Sequence, residues 1–180
     1  MKPLERSFFQ RDATAVAPQL LNKVFVVGLC SGRISEVEAY TQDDAASHSF
    51  RGMTARNATM FGPGGLLYVY FIYGMHFCAN VVTGRTNDGQ AVLIRAVIPL
   101  RGQAVMIERR GRLDRLADGP AKLCEAFGID RSFDGVDLCV GDRAHISDDG
   151  VLPPRVPDVT RRVGISAATD LRRRWSIPSA

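Results

Sequence analysis

The stretch Leu66–Thr83, LLYVYFIYGMHFCANVVT, constrains the fold more than any other part of the chain. It is aromatic and β-branched almost throughout, the composition that suits a pleated, half-buried surface. Its one interruption, Tyr73-Gly74, is a turn signal, so the run reads as a β-hairpin with its tip at Tyr73–Met75. Strands to lie beside it are at hand. Gln90–Ile98 follows the turn GRTNDG at Gly84–Gly89, and Val24–Leu29 is a short β-branched run that turns through Cys30–Gly32 into GRISEVEAY at Gly32–Tyr40.

The alternation of GRISEVEAY puts Ile34, Glu36, Glu38 and Tyr40 on one face and Arg33, Ser35, Val37 and Ala39 on the other. A buried carboxylate costs several kcal/mol unless it is paired or hydrogen-bonded. The two glutamates are therefore either in water on an edge strand, or buried with a partner and a task. Arg95 lies in the otherwise apolar run AVLIRAVI and needs an anion or acceptor, for which Glu38 or Glu36 is the economical choice. The pair reads either as a core ion pair or as part of a site. Asn80, in FCANVV, must have its amide satisfied or use it to read a ligand. Tyr68 and Tyr70 share one face of the hairpin, with Tyr68 read as core. Tyr73 at the tip has no neighbouring strand to cover it. An apolar wedge beside basic residues is how minor-groove proteins enter a base stack. His48 sits in a polar loop and by itself reads as an exposed histidine. His76, just past the tip, reads either as a phosphate contact or as plain surface.

Around these strands, Leu4–Phe9 and Asp12–Asn22 are predicted helices, the second capped by Asp12. Arg101–Arg110 and Pro120–Phe127 are two more, with Pro120 at a first helical position. Thr41–Gly65 is a long irregular segment, and such a loop in a compact chain is more often functional than idle. Phe133–Ala180 reads as short strands and loops, with Val163–Ser166 and Leu171–Trp175 the best strand candidates. With no repeat and no linker, the 180 residues read as one α+β domain built on a mostly antiparallel sheet.

From Gly102 onward arginine is strongly preferred to lysine, and the formal net charge is +4. A guanidinium fork suits phosphate oxygens, so either an acidic polymer is the partner or the basic face serves solubility. Cys30, Cys78, Cys124 and Cys139 form no CxxC pair, and His48, His76 and His145 are scattered, so no metal site or cofactor is expected. Neither a signal peptide nor a membrane-spanning run is present in the sequence, which points to a reducing, intracellular compartment.

Taken together, GRISEVEAY, ASHSFRGMTARNATMFGPGGLLYVYFIYGMHFCANVV, AVLIRAVIPL and DGPAKLCEAFGID resemble, in order and content, the alkyladenine (3-methyladenine) DNA glycosylase family. The likeness runs from about Leu20 to about Arg174. It implies a curved antiparallel sheet with peripheral helices and a protruding β-hairpin that enters the DNA minor groove. It also implies hydrolysis of the N-glycosidic bond of alkylated or deaminated purines in double-stranded DNA. By the same resemblance Glu38 is the base that activates water, with Arg95 and the backbone carbonyl of Val163 helping to hold that water. Tyr40, His48 and Tyr70 form the pocket for the flipped base. Asn80 obstructs the guanine 2-amino group, and Tyr73, with Met75 beside it, fills the gap left in the duplex. His76 stands where many relatives carry another aromatic.

The chemistry is consistent with those residue types. Extruding a purine costs a few kcal/mol of unstacking, which an inserted wedge offsets. Purines alkylated at N3 or N7 are cationic, so tyrosine faces favour them by about 1–2 kcal/mol in a desolvated pocket. Glycosyl transfer passes through an oxocarbenium-like state that one carboxylate can stabilise while accepting a proton from water. No lysine is placed for Schiff-base chemistry, so hydrolysis without strand cleavage is expected, by a monomer that needs neither metal nor cofactor. The expected location is the bacterial cytoplasm with the nucleoid, or the nucleus if the source is eukaryotic. Two alternatives stand beside this reading. One is a non-catalytic nucleic-acid-binding domain, which would not need the Glu38–Arg95 pair. The other is a small-molecule enzyme for formyl or acyl substrates on a related fold.

Overall fold

A computed structural model describes residues 2–72 and 74–178. Tyr73, expected at the hairpin tip, lies outside the described residues. The aromatic run forms the expected hairpin: β3 (Leu67–Ile72) pairs antiparallel with β4 (His76–Thr83), from Leu67 opposite Val81 to Ile72 opposite His76. The chain enters β3 through Gly62-Pro-Gly-Gly65, where glycine is required. A Cβ on Gly64 would lie 2.8 Å from the Phe9 carbonyl oxygen, and Gly65 has φ +95°.

The remaining strands are β1 (Val24–Val27), β2 (Cys30–Tyr40), β5 (Gln90–Arg101), β6 (Ala144–Ser147), β7 (Asp158–Thr160) and β8 (Arg174–Ser176). They make one curled antiparallel sheet in the order β3-β4-β5-β2-β1-β6, with β8 also pairing with β2 and β7 closing on β8. The helices are peripheral: α1 (Arg6–Phe9), α2 (Ala13–Leu20), α3 (Gln103–Arg110) and α4 (Pro120–Phe127). The result is the α+β class expected from the sequence. None of the described helices is long and apolar enough to cross a membrane.

In α2 the Asp12 carboxylate accepts a hydrogen bond from the Thr14 amide at 2.8 Å, closing the helix start as expected. Ala13, Val16, Ala17 and Leu20 then fall on one buried stripe against β2. On β1, Phe25 stacks on Phe127 of α4, centroids 5.7 Å apart, so sheet and helix share one core. On the other face of the sheet a smaller apolar cluster, Met60, Phe61, Tyr68, Val82 and Ala91, underlies the site.

Three sequence expectations change. The turn before β2 is Gly28-Leu29, and Cys30–Gly32 are already strand, paired with Val27 through Phe25. The simple alternation of GRISEVEAY also breaks. Ile34 pairs with Val97, Glu36 with Ala96 and Val37 with Ile94, leaving Ser35 as an extra residue in β2 and Arg95 as an extra residue in β5. These opposed bulges turn Ile34 into the main core with Val37 and Ala39, away from the side on which Glu36, Glu38 and Arg95 meet. Finally, Val163–Ser166 is not a strand, and of Leu171–Trp175 only Arg174 and Trp175 are in β8. Gly164 has φ +81°, which takes the chain out of the extended region and lays this segment along a cavity instead of a sheet edge.

Candidate active site

Two tyrosines of β3, the end of β2, the loop after it and the segment around Val163 enclose a cavity of about 460 Å3. That is a size suited to a ligand of one or two rings. Tyr40, His48, Tyr70, Asn80, Arg95 and Val163 all line it. Six residues singled out in the sequence, spread over 124 positions, are therefore brought to one place. Glu38 lies just behind the wall they form, with Tyr40, Arg95 and Val163 all in contact with its carboxylate.

Glu38 is 0% exposed. One carboxylate oxygen, Oε1, accepts from the Val163 amide at 2.8 Å and lies 3.3 Å from Arg95 Nη1. The other, Oε2, accepts from the Tyr40 hydroxyl at 2.8 Å. A carboxylate taken wholly out of water is tolerable only with such partners. The family resemblance implies a role for the Val163 carbonyl; its contact with Glu38 is through its N–H. Arg95 spends its Nε on Glu36 Oε1 at 2.7 Å, so its guanidinium touches both glutamates. Neither glutamate is left in water as on a plain edge strand.

The aromatic wall is kept protonated. Burial, followed by the neighbouring Glu38 charge, pushes the Tyr40 phenol well up. Burial likewise raises Tyr70, and Tyr68 is pushed up to about 12 by burial and by the Asp134 charge. His48 Nδ1 is 3.0 Å from the Tyr68 hydroxyl, and the imidazole meets Tyr70 edge-on with centroids 4.4 Å apart. Desolvation by these rings, then the Arg56 charge, lowers the His48 pKa and favours the neutral ring. Asn80, buried on β4, donates from Nδ2 to the Tyr68 carbonyl at 3.1 Å. One amide hydrogen and the side-chain oxygen remain available to the cavity that it lines. Met75, 68% exposed, stands out on the hairpin away from the cavity.

Several residues went unrecognised in the sequence. Tyr68 is buried as expected of core, yet it also lines the cavity and holds His48. Its two-residue spacing from Tyr70 was the available signal. Arg162 is more surprising: its fully buried guanidinium forms a two-pronged ion pair with buried Asp44, donates to the Ala39 carbonyl at 3.1 Å, and lies 4.6 Å from the Tyr40 ring centroid. Nothing local to either residue marks a pair formed across 118 positions.

The arginine-rich C-terminal part is correspondingly less of a free basic face than composition suggests. Arg172 donates to the Val159 carbonyl, Arg173 to Thr41 Oγ1 at 2.6 Å, Arg174 to Glu36 and Arg109 to the Ala126 carbonyl. A segment with few ladder hydrogen bonds is tied down by guanidinium donors instead. Arg109 and Arg172 are nevertheless exposed, as are Arg51, Arg56, Arg155 and Arg161. Among the described residues, no group of three or more His, Cys, Asp or Glu side chains is placed to hold a metal ion.

The family model for methylpurine-DNA glycosylase matches residues 7–180. A Burkholderia lata protein named "Putative 3-methyladenine DNA glycosylase" is 51% identical, over 97% of this chain and 87% of its own length. Proteins of the same name from Carboxydothermus hydrogenoformans and Methanoculleus marisnigri are each 44% identical, over 96% of this chain and 93% of theirs. With its buried glutamate, aromatic cavity and sheet, this chain belongs to the methylpurine-DNA glycosylase family, and with it to the DNA N-glycosylases, a class of hydrolases.

Proposed function

We propose that this chain, acting as a monomer and a single domain, removes alkylated or deaminated purines from duplex DNA. In this reading the purine is flipped into the aromatic cavity and the glycosidic bond is hydrolysed with water activated by Glu38. The observation that carries it is the fully buried Glu38 carboxylate, held from both oxygens directly behind a cavity lined by Tyr40, Tyr70 and His48. A structural ion pair would not need to sit against a cavity of base size.

The chemistry follows from that placement. Tyr40 and Tyr70 present phenol rings that stack on a purine and favour one carrying positive charge. As the bond from C1′ to the base nitrogen lengthens, the base departs with the electron pair and the sugar becomes oxocarbenium-like. The Glu38 charge stabilises that cation and accepts the proton of the water that adds to C1′. Arg95 and the Val163 backbone carbonyl hold this water. Buried Lys23 pairs with Asp148 and part-buried Lys122 with Asp118, and no lysine is among the residues that line the cavity, so the product is an abasic site in an unbroken strand. Asn80, pointing to the cavity from β4, obstructs a guanine 2-amino group. Tyr73 and Met75 at the hairpin tip fill the vacated stack, and exposed Arg51, Arg56 and Arg161 meet phosphates, giving an affinity that falls with salt. The setting is wherever the cell keeps its DNA, the nucleoid in a bacterium.

The test uses methylated DNA and duplex oligonucleotides carrying one hypoxanthine or 1,N6-ethenoadenine. Release of free base by the natural chain is expected, together with loss of excision but retained lesion binding in Glu38→Gln. Excision at the natural rate by Glu38→Gln would refute the assignment, and binding without any base release by the natural chain would identify a binding domain.

A further inference from the structure

Glu36 is the charged group of the site to which no role has yet been given, and its contacts are specific. Its Oε1 accepts from Arg95 Nε at 2.7 Å and from Arg174 Nε at 2.7 Å. Arg174 arrives on β8, whose register sets it opposite Glu38 and Thr160 and sets Ser176 opposite Glu36. Arg95 reaches the same place only because it is the extra residue of the β5 bulge, beside the Ser35 bulge in β2. One oxygen of one carboxylate thus holds two guanidinium groups that come from strands on both sides of β2.

The consequence falls on Arg95. A guanidinium next to a buried carboxylate has a strong tendency to turn and bind it as a bidentate fork. The Glu38 oxygens already accept from the Val163 amide and the Tyr40 hydroxyl, so such a fork would take their remaining lone pairs and leave none to take a proton from water. Here the Nε edge of Arg95 is already committed to Glu36, and only Nη1 comes near Glu38, at 3.3 Å from Oε1. Glu36 does not line the cavity, so it can act on the reaction only through Arg95. The charges also balance, two carboxylates against two guanidinium groups, so the cluster needs no external ion.

We propose that Glu36, anchored by Arg174, is a positioning residue: it sets the orientation of Arg95 and keeps it from closing on Glu38. This rests on the proposed role of Glu38 and Arg95. Arg95, left to itself, would either fork onto Glu38 or swing toward the cavity, and displacements of this kind cost a reaction about 10- to 100-fold. The loss is expected in the chemical step, because Glu36 is not among the residues that line the cavity.

The experiment measures single-turnover excision from an ethenoadenine or hypoxanthine duplex separately from the Kd for the same duplex. Glu36→Ala is expected to slow excision about 10- to 100-fold with Kd changed less than about threefold. Glu36→Gln keeps an acceptor oxygen and should recover part of the rate. In an Arg95→Met background, Glu36→Ala should cost less than about twofold more, since its effect passes through Arg95. Should Glu36→Ala fail to fold, Arg174→Met leaves the Glu36–Arg95 bond in place and is expected to give a smaller loss in rate, again at unchanged Kd. An unaltered rate, a loss confined to Kd, or a full additional loss in the Arg95→Met background would each overturn the proposal. Absence of excision by the natural chain would instead refute the underlying function, so the two failures are distinguishable.

Discussion

The buried Arg162–Asp44 pair is where a single substitution should cost this protein most. Both side chains are 0% exposed, and Asp44 gives one oxygen to each terminal nitrogen of Arg162. Asp44→Ala removes both bonds, along with a cap on the Ala46 amide and a longer contact to Arg173. Arg162 would keep only its bonds to the Ala39 and Ala168 carbonyls, at 3.1 and 3.4 Å, and its Nε has no partner even now. Leaving one partner of a buried ion pair uncompensated costs about 3–5 kcal/mol. For a chain of 180 residues, unfolding entropy at about 2.1 cal/mol/K per residue turns that into a fall in Tm of about 8–13 °C. Urea denaturation followed by circular dichroism gives the free energy and a thermal scan gives the Tm. Because removing both charges also removes the uncompensated one, Arg162→Met combined with Asp44→Ala should be more stable than Asp44→Ala alone. The site should register the change too, since the guanidinium backs the Tyr40 ring and ties the loop beginning at Thr41 to the end of β2. A loss below about 1 kcal/mol for Asp44→Ala would show that the pair is not the fastening described.

Two further outcomes are expected at the cavity. Asn80→Ser, which shortens the side chain between Tyr68 and the base, should raise removal of guanine-type lesions relative to hypoxanthine by severalfold; an unchanged preference in competition assays counts against the gate. His48 titrates below its ordinary value of about 6.5, because the folded pocket disfavours the cation and Arg56 repels it. As pH falls below that ordinary value the ring gains charge, and binding of cationic 7-methylguanine should weaken more than binding of neutral hypoxanthine. In His48→Gln that divergence should vanish, and its persistence would assign the titration elsewhere.

Much of this was legible from local pattern. The hairpin followed from an aromatic and β-branched run broken at one turn, and the α2 cap from Asp12, because both depend on near neighbours. The need of Arg95 for an anionic partner followed from a charge set in an apolar strand. Which glutamate it meets was not legible. The opposed bulges at Ser35 and Arg95 let it touch both, and a bulge is a property of two paired strands, not of either sequence. The arginines misled for a related reason. Composition counts a cation without showing whether a carbonyl or carboxylate from elsewhere has already taken it, as Val159, Ala126 and Asp44 do for Arg172, Arg109 and Arg162.

Period and propensity in the chain set the class of the fold, and the cost of burying charge set the need of Arg95 for an anion; the roles of Glu38, Tyr40, His48 and Tyr70 came through the family resemblance. Tertiary structure alone decided the partners. Val163 meets Glu38 through its amide across 125 positions, and Arg162 lies against Tyr40 while it pairs with Asp44 and donates to the Ala39 carbonyl at the end of β2. Contacts between residues more than a hundred positions apart depend on how strands register and curl, and no local stretch of the chain carries that information.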